Sequence, residues 1–414
     1  MIERYIVGSE KPSEGQLFWW NMAGSAVYAL ASMILTYITI RQAGAVEGGV
    51  FAIGLTLAQM FVYIAYYEMR NFQVTDIGKT YIFADYHGVK ILNCIIMIGV
   101  CLIYCIVKHY DTHKLLIVIL VCLYRMLDGY ADVYEADFHN SGRLDLAGKS
   151  MCFRTVISVS VYFCFLWLTH SLLVAMCGAV ISGLLGIYIY DILVMKCIGD
   201  IEISWDKRKM ARIWKECFPL FIGMFLWTYL LSASRMAVDD VMSSDYQSYY
   251  QVLFLPVSVI NLFAGFIIRP SMNSLAEYHV KGLHNLFWKK VLGIFGLISF
   301  FTILCMAGAY VCGIPVLNLL AGCNLSEFRM LFVFLIFAGG VNAAAYLLYS
   351  VLLIYRSAIC VLSGYIIASI LAFLISTQMV RKYALWGAGI SYLVSVFLLA
   401  MLFVICIILL EKRK

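Results

Sequence analysis

Charge is scarce in this sequence. Only 13% of its 414 residues are Asp, Glu, Lys or Arg, 63% are hydrophobic, and the mean hydropathy is +0.90. A soluble fold with an ordinary polar surface is excluded, since charged residues make up about a quarter of such a chain. Proline is rare, and five lone prolines with thirty glycines suit transmembrane helices with kinks and close contacts. Enzyme signatures are missing as well. There is no Walker loop, no His-Glu-x-x-His and no Gly-x-Ser-x-Gly, so bound ATP, zinc-protease chemistry and a nucleophile elbow all lack their motifs. Neither a cofactor nor a metal is implied. The fourteen cysteines mostly sit inside apolar runs without ligand spacing, as Cys94, Cys101, Cys105 and Cys164 do, and read as small hydrophobes. Cys312 and Cys323, flanking one outer loop, form a candidate disulfide. No cleavable signal peptide is expected, because the run after Gln16 is too long and lacks a small-residue cleavage site.

What is present is a succession of apolar runs of about twenty residues that do not alternate with period two. Helices satisfy every backbone polar group within one segment, so the expectation is a polytopic all-α membrane protein and not a barrel. Twelve spans can be drawn, at 17–40, 45–68, 86–107, 114–138, 151–169, 171–195, 214–240, 246–268, 287–312, 327–354, 357–379 and 384–410. An even number puts both termini on one side. With that side cytoplasmic, most basic residues fall inside, including Lys90, Lys149, Arg154 and the cluster from Lys196 to Lys215. The formal charge of +6 is therefore a topology signal, and no nucleic-acid partner is expected. The polar connection from Lys196 to Lys215 divides the chain into lobes at 1–199 and 200–414, six helices each. Sliding the second half back by 199 residues lays Arg269 on Arg70 and Asp240 on Arg41, which suggests an internal repeat.

Inside the fourth span runs a polar stripe. Arg125, Asp128, Asp132, Glu135 and His139 follow at steps of three and four, which places all five on one helix face. If the helix enters the bilayer near Lys114, Arg125 is about 16 Å along it, near the midplane. A charge facing lipid there costs at least about 3 kcal/mol, so the stripe faces protein or a wet cavity. Asp128 and Asp132, one turn apart, are suited to hold a proton or coupling cation, with Glu135 as a further candidate. The alternative is an ion-pair ladder between helices, with Arg125 no more than the counter-ion of Asp128. For Glu135 and His139, a solvated helix end is an equal explanation. Asp191, near its helix terminus, carries little functional weight.

Two further groups hold arginine, whose planar fork suits phosphate. Thr228, Ser232, Arg235 and Asp239 share a face of the seventh span, and Arg70 and Arg269 end the second and eighth spans. Headgroup-directed snorkelling is the competing account of Arg70 and Arg269.

Several segments carry a family likeness: Phe18-Trp19-Trp20-Asn21-Met22-Ala23-Gly24-Ser25, the run Met69 to Asp76, the run Gly142 to Lys149, and Phe254-Leu255-Pro256 through Gly265 to Pro270. In these, and in helix number and six-plus-six division, the chain resembles bacterial polysaccharide-transport flippases of the multidrug, oligosaccharidyl-lipid and polysaccharide exporter (MOP) superfamily. The resemblance implies two six-helix lobes around a central cationic cavity. It also implies alternating-access transport of undecaprenyl-pyrophosphate-linked oligosaccharide to the outer leaflet of the bacterial inner membrane. Expected partners are that substrate, membrane lipids, a coupling H+ or Na+, and polysaccharide-assembly proteins. On this reading Arg70, Asn71 and Arg269 stand at the cytoplasmic mouth, and Arg125 and Arg235 lie deeper. The stripe departs from the pattern in carrying more acid than base. A multidrug exporter of the same superfamily would need a more apolar, acid-lined pocket. A polysaccharide polymerase or ligase typically has a large outer loop, and this chain's outer loops are short.

Overall fold

A computed structural model describes Val7, residues 12–76 and residues 80–412, apart from the side chain of Arg269. The described residues form helices and connections without a strand. The chain opens with α1 (Glu14–Tyr66), started by a reciprocal cap in which Ser13 and Gln16 each bond the other's backbone amide. At 53 residues α1 is far longer than the ~20 that cross a bilayer. It breaks at Gly44, whose φ of 88° lies where only glycine is unstrained.

Tyr67 and Glu68 then take left-handed conformations in succession, with φ of 48° and 52°, before the short helix α2 (Met69–Thr75). Each costs roughly 1–2 kcal/mol for a residue with a Cβ, so tertiary contacts must hold the break. Next come α3 (Phe83–Val107), α4 (Thr112–Asn140), α5 (Leu144–Thr169) and α6 (Leu172–Ile187). A π-helical turn at Tyr188–Ile192 leads from α6 into α7 (Leu193–Ile198). After the connection follow α8 (Lys207–Val241), α9 (Ser244–Val280), α10 (His284–Gly308), α11 (Ile314–Ala321), α12 (Arg329–Ile354) and α13 (Ala358–Glu411). The 54-residue α13 also breaks, at Ala384.

Nine helices among the described residues are long and apolar enough to cross a membrane. The rods α1 and α13 each join two helices across a break, at Gly44 and Ala384, and α4 carries too many charges to meet an apolarity criterion.

The chain forms two compact units, Met1–Phe225 and Leu226–Lys414, whose boundary falls inside α8. The first part of α8 is tied to the first unit. Lys209 pairs with Asp85 at 2.8 Å, the Trp214 indole donates to Asn93 at 2.8 Å, and Phe221 stacks on Tyr67 at 4.4 Å. In that unit α1 and α5 approach at Gly24 and Gly148. A Cβ on Gly24 would lie 2.6 Å from the Gly148 carbonyl oxygen, so side chains are excluded on both helices. Two segments of the family likeness thus meet here. In the second unit α9 and α12 pack through Gly339 against Val257, and Asn342 donates to Asn261 at 2.8 Å. Cys312 and Cys323 are both free thiols, so the candidate disulfide is not formed.

Candidate functional site

The stripe on α4 turns inward, as its cost in lipid demands. Arg125, Asp128, Asp132 and Glu135 are all buried. His139, the fifth member, is exposed and belongs to the helix end. Of the two explanations open for Glu135, the solvated helix end fails, because its carboxylate is interior, 3% exposed.

Each buried acid finds a cation. The Arg125 guanidinium donates to Asp128 at 3.1 Å and to the hydroxyl of Ser32 on α1, while the Tyr28 ring faces it at 4.9 Å. Lys90 of α3 donates to Asp132 at 2.9 Å and to the Tyr66 carbonyl at 3.2 Å, where α1 ends. Arg70 of α2 donates to Glu135 at 2.8 Å and to Asp132 at 3.3 Å. Arg154 of α5 reaches three carboxylates: Asp191 at 3.0 Å, Glu135 at 3.2 Å and Asp128 at 3.4 Å. Asp191 sits on the π-helical turn and accepts a 2.6 Å bond from Ser150. Such turns in helices are frequent at functional sites.

The result is a nest of four cations, Arg70, Lys90, Arg125 and Arg154, and four carboxylates, Asp128, Asp132, Glu135 and Asp191. The apparent excess of acid on α4 is thus cancelled by neighbouring helices. Lys90, Arg154 and Asp191 are the members that sequence reasoning missed. The first two counted as cytoplasmic topology charges, and they are buried with side chains 1% and 4% exposed. Each lies within a few residues of an end of its expected span, so position alone did not set it apart from an ordinary helix-end charge.

A cavity of about 250 Å³ opens on this nest, lined by Tyr28, Tyr66, Arg70, Asn71, Asp132 and Arg154 among others. Of the four cations only Arg70 has appreciable freedom, its side chain 29% exposed. Asn71 beside it donates to Glu68 at 2.9 Å. A second cavity, about 700 Å³, is lined by Gln73, Asp76, Tyr81, Tyr86 and His139. Burial pushes the Asp76 carboxyl up, but bonds from the Tyr81 and Thr80 amides and the Tyr86 hydroxyl outweigh this and hold it below its ordinary value.

Arg235 lies in the second unit. It is buried, donates to Gln251 and Ser232 at 3.4 Å each, and stands 5.0 Å from the Phe254 ring. Arg269 is on α9, with its side chain outside the described residues.

No protein-family profile matches the chain, and no curated protein matches it in sequence. Solved structures do match in fold. An inward-facing multidrug resistance MATE family transporter of the MOP superfamily superposes with a TM-score of 0.69 at 9% identity, covering 95% of this chain and 99% of its own. The inward closed lipid II flippase MurJ gives 0.70 at 12% identity, over 94% and 87%. A variant of the Vibrio cholerae MATE transporter VcmN gives 0.56 at 14% identity, over 96% of each chain. The chain is a polytopic all-α membrane protein with the fold these MATE transporters share with a lipid flippase.

Proposed function

We propose that the protein is a flippase that moves undecaprenyl-pyrophosphate-linked oligosaccharide from the cytoplasmic to the outer leaflet of the bacterial inner membrane. It works by alternating access, coupled to an ion, in cell-surface polysaccharide biosynthesis, with both termini cytoplasmic. The observation that carries this reading is Arg70. Alone among the nest's cations it is partly open to the cavity, so its planar fork is available to a pyrophosphate while its partners stay locked. Lys90, Arg125 and Arg154 hold the acids around it, and the tyrosines of the lining offer faces for sugar rings. A nest at membrane depth that is charge-balanced at rest can compensate an anion by re-pairing, which a purely apolar cavity cannot do.

The test is transport of labelled lipid-linked oligosaccharide in proteoliposomes. Arg70→Lys, which keeps charge and loses the fork, is expected to transport at a small fraction of wild type while folding normally. Transport at the wild-type rate in Arg70→Gln would refute the reading.

A second reading has its own support. The acids Glu68, Asp128, Asp132 and Glu135 all border the cavity, as an exporter of organic cations would require. Efflux of a fluorescent organic cation by the same vesicles, lost in Asp132→Asn, would favour it.

A further inference from the structure

We infer that the second cavity of the first unit is a saccharide site, taking a neutral or amino hexose of the substrate whose pyrophosphate lies at Arg70. The inference rests on the flippase reading and adds to it where the sugar is held and which sugars are accepted. At about 700 Å³ the cavity falls among those that bind small molecules, about 300–1,000 Å³. Its chemistry is that of acceptors. Gln73, 3% exposed, donates its amide to the Val133 carbonyl at 3.3 Å, and Asn140 donates its own to the Gln73 backbone carbonyl at 3.1 Å. Both partners are backbone carbonyls, which only accept, so each side chain bonds through its nitrogen and leaves its oxygen as an acceptor. Among the described residues none donates to the Gln73 side-chain oxygen. Asp76 and Asp137 add negative charge, and the described lining holds no Lys or Arg. Such a lining calls for a ligand rich in O–H and N–H donors, and a phosphate or carboxylate would meet like charge there.

The apolar part of the lining suits a pyranose. Tyr81 and Tyr86 stand edge to face at 5.8 Å, and their hydroxyls are tied to Glu216 at 3.1 Å and Asp76 at 3.3 Å. With Phe83 they offer fixed ring surfaces, whose negative faces attract the C–H bonds of a sugar. A purely apolar ligand would leave the acceptors unanswered, and burying them unpaired is costly. A metal ion is not favoured, since among the described residues no group of three His, Cys, Asp or Glu could hold one. Position supplies the link to the nest. On α2, Arg70 borders the first cavity and Val74, one turn on, borders the second; on α4, Glu135 and His139 do the same. One turn is about 5.4 Å. Two helices thus lead from one cavity to the other over a distance of the order that separates a pyrophosphate from the sugar bonded to it. Partial burial and then the nearby Arg70 charge hold the His139 imidazole below its ordinary pKa, a further sign that the two cavities adjoin.

The test uses the purified full chain in a sugar-free detergent, with binding followed by saturation-transfer NMR and calorimetry. The probes are glucose, galactose, N-acetylglucosamine and glucosamine, with glucuronic acid as the anionic contrast. Saturable binding of at least one neutral or amino hexose is expected, with glucuronic acid weaker by about tenfold or more. Gln73→Met is close in size but lacks the amide, and Asn140→Ala changes an exposed position. Each is expected to weaken binding about three- to tenfold, the contribution of one hydrogen bond. Should Gln73→Met not fold, Asn140→Ala decides. Saturable binding of no probe, glucuronic acid binding as tightly as the neutral sugars, or wild-type affinity in the folded variants overturns the saccharide site and leaves the flippase reading to the transport assay of Arg70. Sugar binding as expected, with no transport of lipid-linked oligosaccharide, overturns the flippase reading instead and leaves the site standing.

Discussion

Buried arginines in the two units of the chain live in different ways. In the first unit Arg154 touches three carboxylates from two helices, and Arg125 has a carboxylate, a hydroxyl and a ring. In the second unit the bonds of Arg235 to Gln251, Ser232 and the Leu231 carbonyl are 3.4–3.5 Å long and run to neutral oxygens. The difference is one of dependence. Where charges hold each other, removing one strands the rest. Where the contacts run to an amide, a hydroxyl and a ring, as these of Arg235 do, each is a charge on a dipole and not a charge on a charge.

The sharpest way to break this comparison is Arg154→Gln, which leaves Asp191, Glu135 and Asp128 sharing too few cations. A loss of about 3–5 kcal/mol is expected, seen as a collapse of thermal stability and membrane abundance. Next in size is Arg125→Gln, expected to destabilise by a similar mechanism but to recover when combined with Asp128→Asn. Thermal stability and flipping should both be measured on the pair. Full flipping in the double variant would make Arg125 a counter-ion only, the outcome its complete burial favours. Arg235→Gln is expected to cost less than Arg154→Gln, about 1–2 kcal/mol, because its contacts with Gln251, Ser232 and the Phe254 ring are to neutral groups where Arg154 bonds three carboxylates. A loss as large as that of Arg154→Gln would erase the contrast between the units.

The smallest effect concerns Asp76, outside the membrane. Its carboxyl is held below the ordinary value, so its stabilisation is present above the unfolded pKa of about 3.9 and is lost as pH falls through the lower folded value. Amide exchange at Thr80 and Tyr81 should accelerate below about pH 4, relative to neighbouring amides, and Asp76→Asn should abolish that pH dependence.

Much of the architecture was legible in the sequence because bilayer thickness forces it. Gly44 falls between the first two expected spans, and Ala384 opens the last, close to where α1 and α13 break. The α4 stripe was legible too, since one helix fixes which of its residues share a face. The partners were not. Lys90, Arg154 and Asp191 come from three other helices, and no local periodicity reports which side chains meet across a bundle. Arg70 was recognised as a helix-end cation. Nothing in its neighbours announced the two left-handed residues that turn it back toward α4, because Tyr67 and Glu68 are not residues that favour that conformation.

That break in the chain also bears on the charge of the nest. A helix carries about half a negative charge at its C-terminal end, spread over its last carbonyls. The Tyr66 carbonyl, at the last residue of α1, accepts from the Lys90 ammonium at 3.2 Å. Lys90 thus answers a fractional backbone charge as well as Asp132. The nest holds a ninth member that neither titrates nor dissociates, fixed by the fold of α1. Lys90 would therefore keep part of its compensation whatever partners the side chains around it took.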